Sequence, residues 1–290
     1  MKKQLIAAAV AATMTSVAMA DISITGSAKA NVKNGNASIE SDLKITGKSG
    51  DSALVANISL DNGTNPQNAH TSTSTEIVED LYVTSSFQGV NIKAGSYRSG
   101  KSELDQTSDP SARYNLSTSM GPVSIAYEAT SSNHDLTVGG EVAGVSVKHK
   151  MKKNDDSETW VSGSLAGVNV AWNQEHTDSG DKDDTALTVS TEFNGVTATY
   201  VKLDTDTAVK SDGYIGKFTT TAGSDASAFG LKTGVAGNTV EIKAIEINDV
   251  DSTKVILTRP LASGATFEAT YNDSDTDSED YLDLELAVKF

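Results

Sequence analysis

The chain contains no cysteine, so disulfides and thiolate metal centres are excluded. Arginine is nearly absent too: Arg98, Arg113 and Arg259 are the only three. With 23 basic residues against 39 acidic ones and a net charge of −16, no basic footprint for nucleic acid exists. Past Ala20 no apolar run reaches about ten residues, half of what a membrane-spanning helix needs. A closed β-barrel remains open, because it also satisfies its backbone groups inside lipid. Neither G-x-S-x-G nor H-E-x-x-H occurs, and the four histidines are scattered, so the chain does not read as an enzyme.

What is present begins with an export signal. Lys2 and Lys3 precede an alanine-rich apolar stretch from about Leu5 to Val17, and Ala18-Met19-Ala20 gives the small-x-small cleavage pattern. Residues 1–20 are read as a cleaved signal peptide and 21–290 as one domain. Loss of the two lysines takes the net charge from −16 to −18. Export without disulfides suits a bacterial envelope protein. At the other end, Leu282, Leu284, Leu286, Val288 and Phe290 share one parity, while Asp283, Glu285 and Lys289 share the other. That is a strand with one apolar face.

Between these ends one unit recurs: an alternating strand, a glycine turn, another alternating strand. Gln88-Gly89, Gly121-Pro122, Ala143-Gly144, Ala166-Gly167 and Asn194-Gly195 are its clearest turns, and Asn-Gly between alternating strands is a strong hairpin signal. Looser copies surround Gly47–Asp51, Ala236–Asn238 and Leu261–Ala265. Eight such hairpins with an opening and a closing strand give 18 strands, with 16 equally compatible. Tyr214–Thr220 breaks the up-down parity and is assigned to a loop. The remaining connections, such as Asp61–Thr75, Arg98–Ser111, Lys152–Ser157, His176–Asp184 and Asn272–Asp280, read as longer and acidic. Short turns alternating with long loops describe an all-β, antiparallel up-and-down transmembrane barrel of 16 to 18 strands, with short periplasmic turns and longer external loops. The apolar parity is expected to face lipid and the polar parity a wet lumen. Phe87, Tyr97, Tyr114, Tyr127, Trp160, Trp172, Phe193 and Phe290 are expected to form interfacial girdles, and few aromatics are expected in the lumen.

At this level the chain resembles the general diffusion porins of Gram-negative bacteria, those of photosynthetic α-proteobacteria most. The residues carrying the resemblance are the signal peptide, Asp21-Ile22-Ser23-Ile24-Thr25-Gly26, Asp42–Gly47, Asp80-Leu81-Tyr82-Val83 and Phe290. The resemblance implies a 16-stranded outer-membrane barrel, a homotrimer, and passive diffusion of small hydrophilic solutes. It also implies that the third long loop folds inward. The matching segment, Tyr97–Ser111, supplies Glu103, Asp105 and Asp109 as the acidic side of a constriction. Lys29, Lys44, Lys93 and Arg113, on lumen parity, form the basic wall. Cation preference is expected, since charge rings set ion selectivity. The partners expected are outer-membrane lipid, lipopolysaccharide, small solutes and cations, with no nucleic acid. The acidic groups at Asp178, Asp181, Asp183 and Asp184 and at Asp273–Asp280 match no EF-hand spacing. They are read as solvated loops, with Ca²⁺ on them a lesser alternative and no cofactor expected. The competing function is an exported soluble β-rich adhesin or binding module.

Overall fold

The computed structural model describes residues 21–61, 78–98, 103–104, 110–262, 264–276 and 280–290. The signal segment, Asp105, Asp109, Asp277 and Glu279 lie outside them. The chain starts as β1 (Asp21–Lys33), β2 (Asn36–Ser49), β3 (Ser52–Asp61), β4 (Asp80–Phe87), β5 (Val90–Tyr97), β6 (Ser111–Met120) and β7 (Val123–Thr130). It continues with β8 (His134–Val142), β9 (Val145–Met151), β10 (Ser157–Leu165), β11 (Val168–Thr177), β12 (Lys182–Phe193) and β13 (Val196–Thr205). A small hairpin follows, β14 (Lys210–Asp212) with β15 (Lys217–Thr219), and then β16 (Ser224–Val235), β17 (Asn238–Ile247), β18 (Val250–Pro260), β19 (Ala265–Ser274) and β20 (Tyr281–Lys289).

Among the described residues eighteen of these strands form one sheet, each antiparallel to its neighbours, and β1 pairs with β20 to close it. The count of 16 implied by the porin resemblance gives way to 18. The pair β14–β15 is a separate two-stranded sheet, so 214–220 does stand apart from the up-down series. At one end of the barrel the turns are tight, for a local reason. Gln88, Ala143, Ala166, Asn194 and Ala236 have φ near +50°, and the glycine after each has φ near +80°, the turn whose twist matches that of the strands.

The other end differs from the sequence reading. Asn34-Gly35 and Asn248-Asp249 also join strands in two residues, so the alternation of short and long is not strict. The acidic segments are shorter as loops too: 176–184 keeps only four residues between β11 and β12. Lys182, Asp183, Asp184 and Asp273 lie on strand ends, because a barrel strand can continue past an apolar band with a polar outer face.

Side chains sort by parity. Ile22, Ile24, Val83, Leu116, Ile125, Val170, Leu231, Ile242 and Leu286 are exposed on the outer face. Phe87, Met120, Val142, Leu165, Phe193, Val235 and Phe290 ring the tight-turn end. Tyr114, Tyr127, Trp172, Tyr200, Phe229 and Tyr271 share the outer parity nearer the loop end. Two girdle assignments are corrected: Tyr97 is buried inside, and Trp160 shares the inner row with Lys148, Asn173, Ala186 and Leu203. At that level the outer parity holds Ala94 and Ser96 on β5 and Thr159 and Val161 on β10.

The seam is closed by Gly26. Its N–H donates to the Phe290 carbonyl at 2.8 Å, and the Phe290 N–H donates back at 3.0 Å. A Cβ on Gly26 would stand 2.7 Å from the Asp42 carbonyl oxygen and 2.8 Å from the Phe290 ring, so glycine is required by close approach.

Candidate functional site

The lumen is where this fold concentrates its polar chemistry, and its most developed feature is the inward loop between β13 and β16. On β13 the outer face is apolar at Val196, Ala198 and Tyr200. At Val201 the parity changes: Val201, Leu203 and Thr205 are buried on the inner face while Lys202 and Asp204 are exposed on the outer one. The same inner row carries Ala186 on β12, Ala226 and Ala228 on β16, and Ile245 on β17. Val209, Ile215 and Leu104 complete this buried cluster, with Tyr214 and Phe218 packed against it. An apolar inner face in a wet lumen would be costly, at about 25 cal/mol per Å². Here the loop covers it.

Hydrogen bonds fix the loop at its root. Buried Asp184 accepts from the Thr207 N–H at 2.9 Å and from the Thr207 hydroxyl. The Val209 N–H donates to the Thr220 hydroxyl at 3.0 Å, and the Thr220 N–H donates to the Val209 carbonyl at 2.9 Å. The Gly223 N–H donates to the Thr205 carbonyl at 2.7 Å. At the tip, the Tyr214 hydroxyl donates to Glu241 Oε1 at 2.9 Å, and Lys243 Nζ donates to the Tyr214 carbonyl at 2.9 Å. Lys243 Nζ also lies 3.9 Å from the centre of the Tyr214 ring. Val209, Ser211 and Thr220 are buried toward the wall, whereas Lys210, Lys217 and Thr219 are exposed on the opposite face of the hairpin. The element narrowing the lumen therefore presents lysines to it.

Glu103 meets this hairpin. One carboxylate oxygen accepts the Tyr214 N–H, and the other, Oε2, is shut off from solvent with no hydrogen-bond partner. Burial pushes the Glu103 carboxyl above the usual carboxylate range, against the lowering pull of the Tyr214 and Ile215 amides and of Lys243. A Cβ on Gly213 would fall on that carboxylate. The contact crosses the barrel. β5 and β16 are fifth and fourteenth in the eighteen-strand ring, half a turn apart. Strands spaced about 4.8 Å and tilted about 40° make such a ring roughly 35 Å across. The third loop leaves β5 and brings Glu103 and Leu104 against an element rooted on the far side.

The basic residues named from the sequence all stand on the inner face. Lys29 Nζ is 3.9 Å from Glu285 Oε2, and Lys44 is exposed beside Thr25 and Asn57. Lys93 Nζ sits between two rings, 4.1 Å from the centre of Tyr82 and 3.7 Å from that of Tyr97. Arg113 donates to Glu128 Oε1 at 3.1 Å, and the Tyr97 hydroxyl donates to Glu128 Oε2 at 3.2 Å. Glu128→Ala leaves the Arg113 side chain, only 9% exposed, without its carboxylate. The expected cost is about 2 kcal/mol after discounting for the exposed side of Glu128, readable as a lower urea midpoint of the detergent-folded protein.

Sequence reasoning missed the lumen aromatics. Tyr82, Tyr97, Trp160, Tyr214 and Tyr281 all face inward. Lys148 Nζ lies 4.0 Å from the centre of Trp160 and Lys33 Nζ 3.7 Å from that of Tyr281. Their signal was parity relative to Lys93, Lys148 and Asp283. Acid groups also line the wall near the loop end, where Lys152 bridges Glu158 and Glu175, and Lys150 Nζ is 3.1 Å from Asp135 Oδ2. Among the described residues, no three acid or histidine side chains converge as metal ligands, and Asp184 is committed to the inward loop.

No family model and no curated protein sequence matches the chain. Solved structures do. OccK3 (OpdO) of Pseudomonas aeruginosa superposes with a TM-score of 0.65 at 10% identity, covering 93% of this chain and 95% of that one. A BenF-like porin from Pseudomonas fluorescens Pf-5 gives 0.65 at 11% identity, covering 93% and 98%. Pseudomonas aeruginosa OpdK, solved with vanillate, gives 0.65 at 9% identity, covering 93% and 97%. At such identity the likeness is one of fold: the barrel is that of these porins.

Proposed function

We propose that the chain is an outer-membrane porin of a Gram-negative bacterium, a water-filled channel for passive diffusion of small hydrophilic solutes and ions, and not an enzyme. One observation carries this reading. The closed eighteen-strand ring turns its aliphatic parity outward, with an aromatic row toward the loop end and Phe87, Phe193 and Phe290 at the tight-turn end, and its charged parity inward. A soluble adhesin would have the opposite economy of faces, and it would leave the envelope without detergent. Residues 1–20 act as the export signal, removed after Ala20, and intact mass of the mature protein tests this. β1 and β2 themselves carry no aromatic residue, and Ile22, Ile24, Val32 and Ile39 are exposed on their outer face, which supports the homotrimer reading; native mass in detergent tests it.

Width is set by the inward hairpin together with the third loop, so uncharged sugars should enter protein-loaded liposomes at rates that fall steeply with size. Rates equal to those of empty liposomes for every sugar would remove the channel reading. Cation preference, in this reading, comes from the acidic mouth. Asp178, Asp181, Asp206, Asp249, Asp251 and Asp275 are exposed around the loop end, and such a mouth concentrates cations. The Debye length shrinks from about 10 Å at 0.1 M to about 3 Å at 1 M. The preference measured from reversal potentials should therefore fall as KCl rises; a preference independent of salt would move its origin to the constriction, where Asp105 and Asp109 remain proposed.

The lumen aromatics favour a second reading, a channel selective for particular solutes. It predicts that swelling rates saturate with solute concentration, whereas simple diffusion predicts a linear rise.

A further inference from the structure

We infer that Glu103 is a positioning residue that fixes the channel's width by latching the inward hairpin across the lumen, rather than a charge in the ion path. This rests on the channel reading above.

Four observations carry it. The Glu103 carboxylate is turned onto the hairpin, accepts the Tyr214 N–H, and has its second oxygen closed off from solvent. A path charge has to be exposed to the ions it attracts. Leu104, beside it, is 4% exposed within the apolar cluster that seats the hairpin, so the two residues dock together. Gly213 leaves the space that the carboxylate fills, although its φ lies outside the left-handed region. Glycine there serves the contact and not the backbone. Finally, the loop carrying Glu103 and the hairpin root on opposite walls, so their contact bridges the lumen.

The groups facing Glu103 explain why a carboxyl is suited to the position. Lys243 on β17 lies behind Tyr214, held by the Tyr214 carbonyl at 2.9 Å and by Glu241 Oε1 at 3.5 Å. Lys254 pairs with Lys243 in the register of β18. A short acceptor reaching between the Tyr214 amide and this cationic wall fastens the tip of the hairpin, and a glutamine side-chain oxygen has the same reach.

The test uses planar bilayers and six proteins folded in detergent: wild type, Glu103→Gln, Glu103→Ala, Gly213→Ala, the Glu103→Ala/Gly213→Ala double variant, and the Glu103→Cys/Gly213→Cys pair. The chain has no cysteine of its own, so the pair forms a single, reversible cross-link between the two loops. Glu103→Ala and Gly213→Ala each remove the latch from one side. Each should raise conductance roughly twofold and add rapid flicker, because a loop contact and not the wall is lost. Combined, they should add little beyond either alone. Glu103→Gln should keep wild-type conductance and reversal potential. The oxidised cysteine pair should match wild type, and its reduction should give the Glu103→Ala behaviour.

Two outcomes overturn the inference. Glu103→Gln shifting the reversal potential as far as Glu103→Ala, at unchanged conductance, would make Glu103 a path charge. A wild-type channel whose conductance is untouched by Glu103→Ala and by reduction of the cysteine pair would leave the latch without effect. Failure of the channel reading looks different: properly folded wild-type protein would not conduct at all, and that result would take the inference with it.

Discussion

Replacing residues 207–221 by a short Gly-Ser linker should raise single-channel conductance about threefold or more, the largest functional change expected from any alteration of this chain. The barrel does not depend on this segment for its own ladder. β13 pairs with β16 directly from Val196↔Thr233 to Thr205↔Ser224, and the hairpin pairs only with itself. Excision therefore removes the plug and leaves the ring. The cost falls on the inner face, where Val201, Leu203, Ala226, Ala228 and Ile245 lose their cover. Exposing these side chains to water costs several kcal/mol, at about 25 cal/mol per Å², so the excised protein should also unfold at lower urea. Unchanged conductance would place the narrowing elsewhere in the lumen.

Gly26→Val should produce the largest loss of stability. A branched side chain at this position meets the Asp42 carbonyl oxygen, which is backbone, and the Phe290 ring together. The ring can rotate away; the carbonyl cannot move without disturbing β1–β2 pairing. Overpacking against backbone, with the two Gly26–Phe290 hydrogen bonds strained, costs about 3 kcal/mol. That is more than a hundredfold in the ratio of folded to unfolded protein. Phe290→Ala keeps both backbone bonds and should cost clearly less. Refolding from urea into detergent, followed by the shift in midpoint, measures both. A Gly26→Val midpoint equal to wild type would mean the seam tolerates separation there.

Much of the barrel was legible because the signals were local. A glycine turn between alternating strands needs no tertiary information, and the eight hairpins were readable for that reason. The C-terminal strand was legible from strict alternation. The loop end was harder. Acidic residues on strand ends read as loops, since a polar outer face on a strand that continues past the apolar band breaks the alternation used to find strands. The inward hairpin was hidden for another reason: β14 and β15 are three residues each, too short to show a period. One signal did exist. On β13 the apolar parity passes from Val196, Ala198 and Tyr200 to Val201 and Leu203, and on β17 from Val240 and Ile242 to Ile245 and Ile247. Such a switch marks where the outer face meets water and the inner face meets folded chain. For the site, sequence named Glu103 but not its direction. Which way a carboxylate turns depended on Gly213 and Tyr214, more than a hundred residues away.

A channel requires the apolar parity to face lipid and the polar parity a hydrated lumen, and strand periodicity is the same for either orientation. The two tryptophans of the chain report on it directly. Trp160 shares the inner row with Lys148 and Asn173, and Trp172 the outer row with Val161 and Leu187. In liposomes, a Trp160→Phe variant, which keeps Trp172, should be strongly quenched by brominated lipid and weakly by aqueous acrylamide. A Trp172→Phe variant, which keeps Trp160, should show the reverse. Trp160 quenched by lipid and Trp172 by acrylamide would mean a barrel turned inside out, with no hydrated lumen.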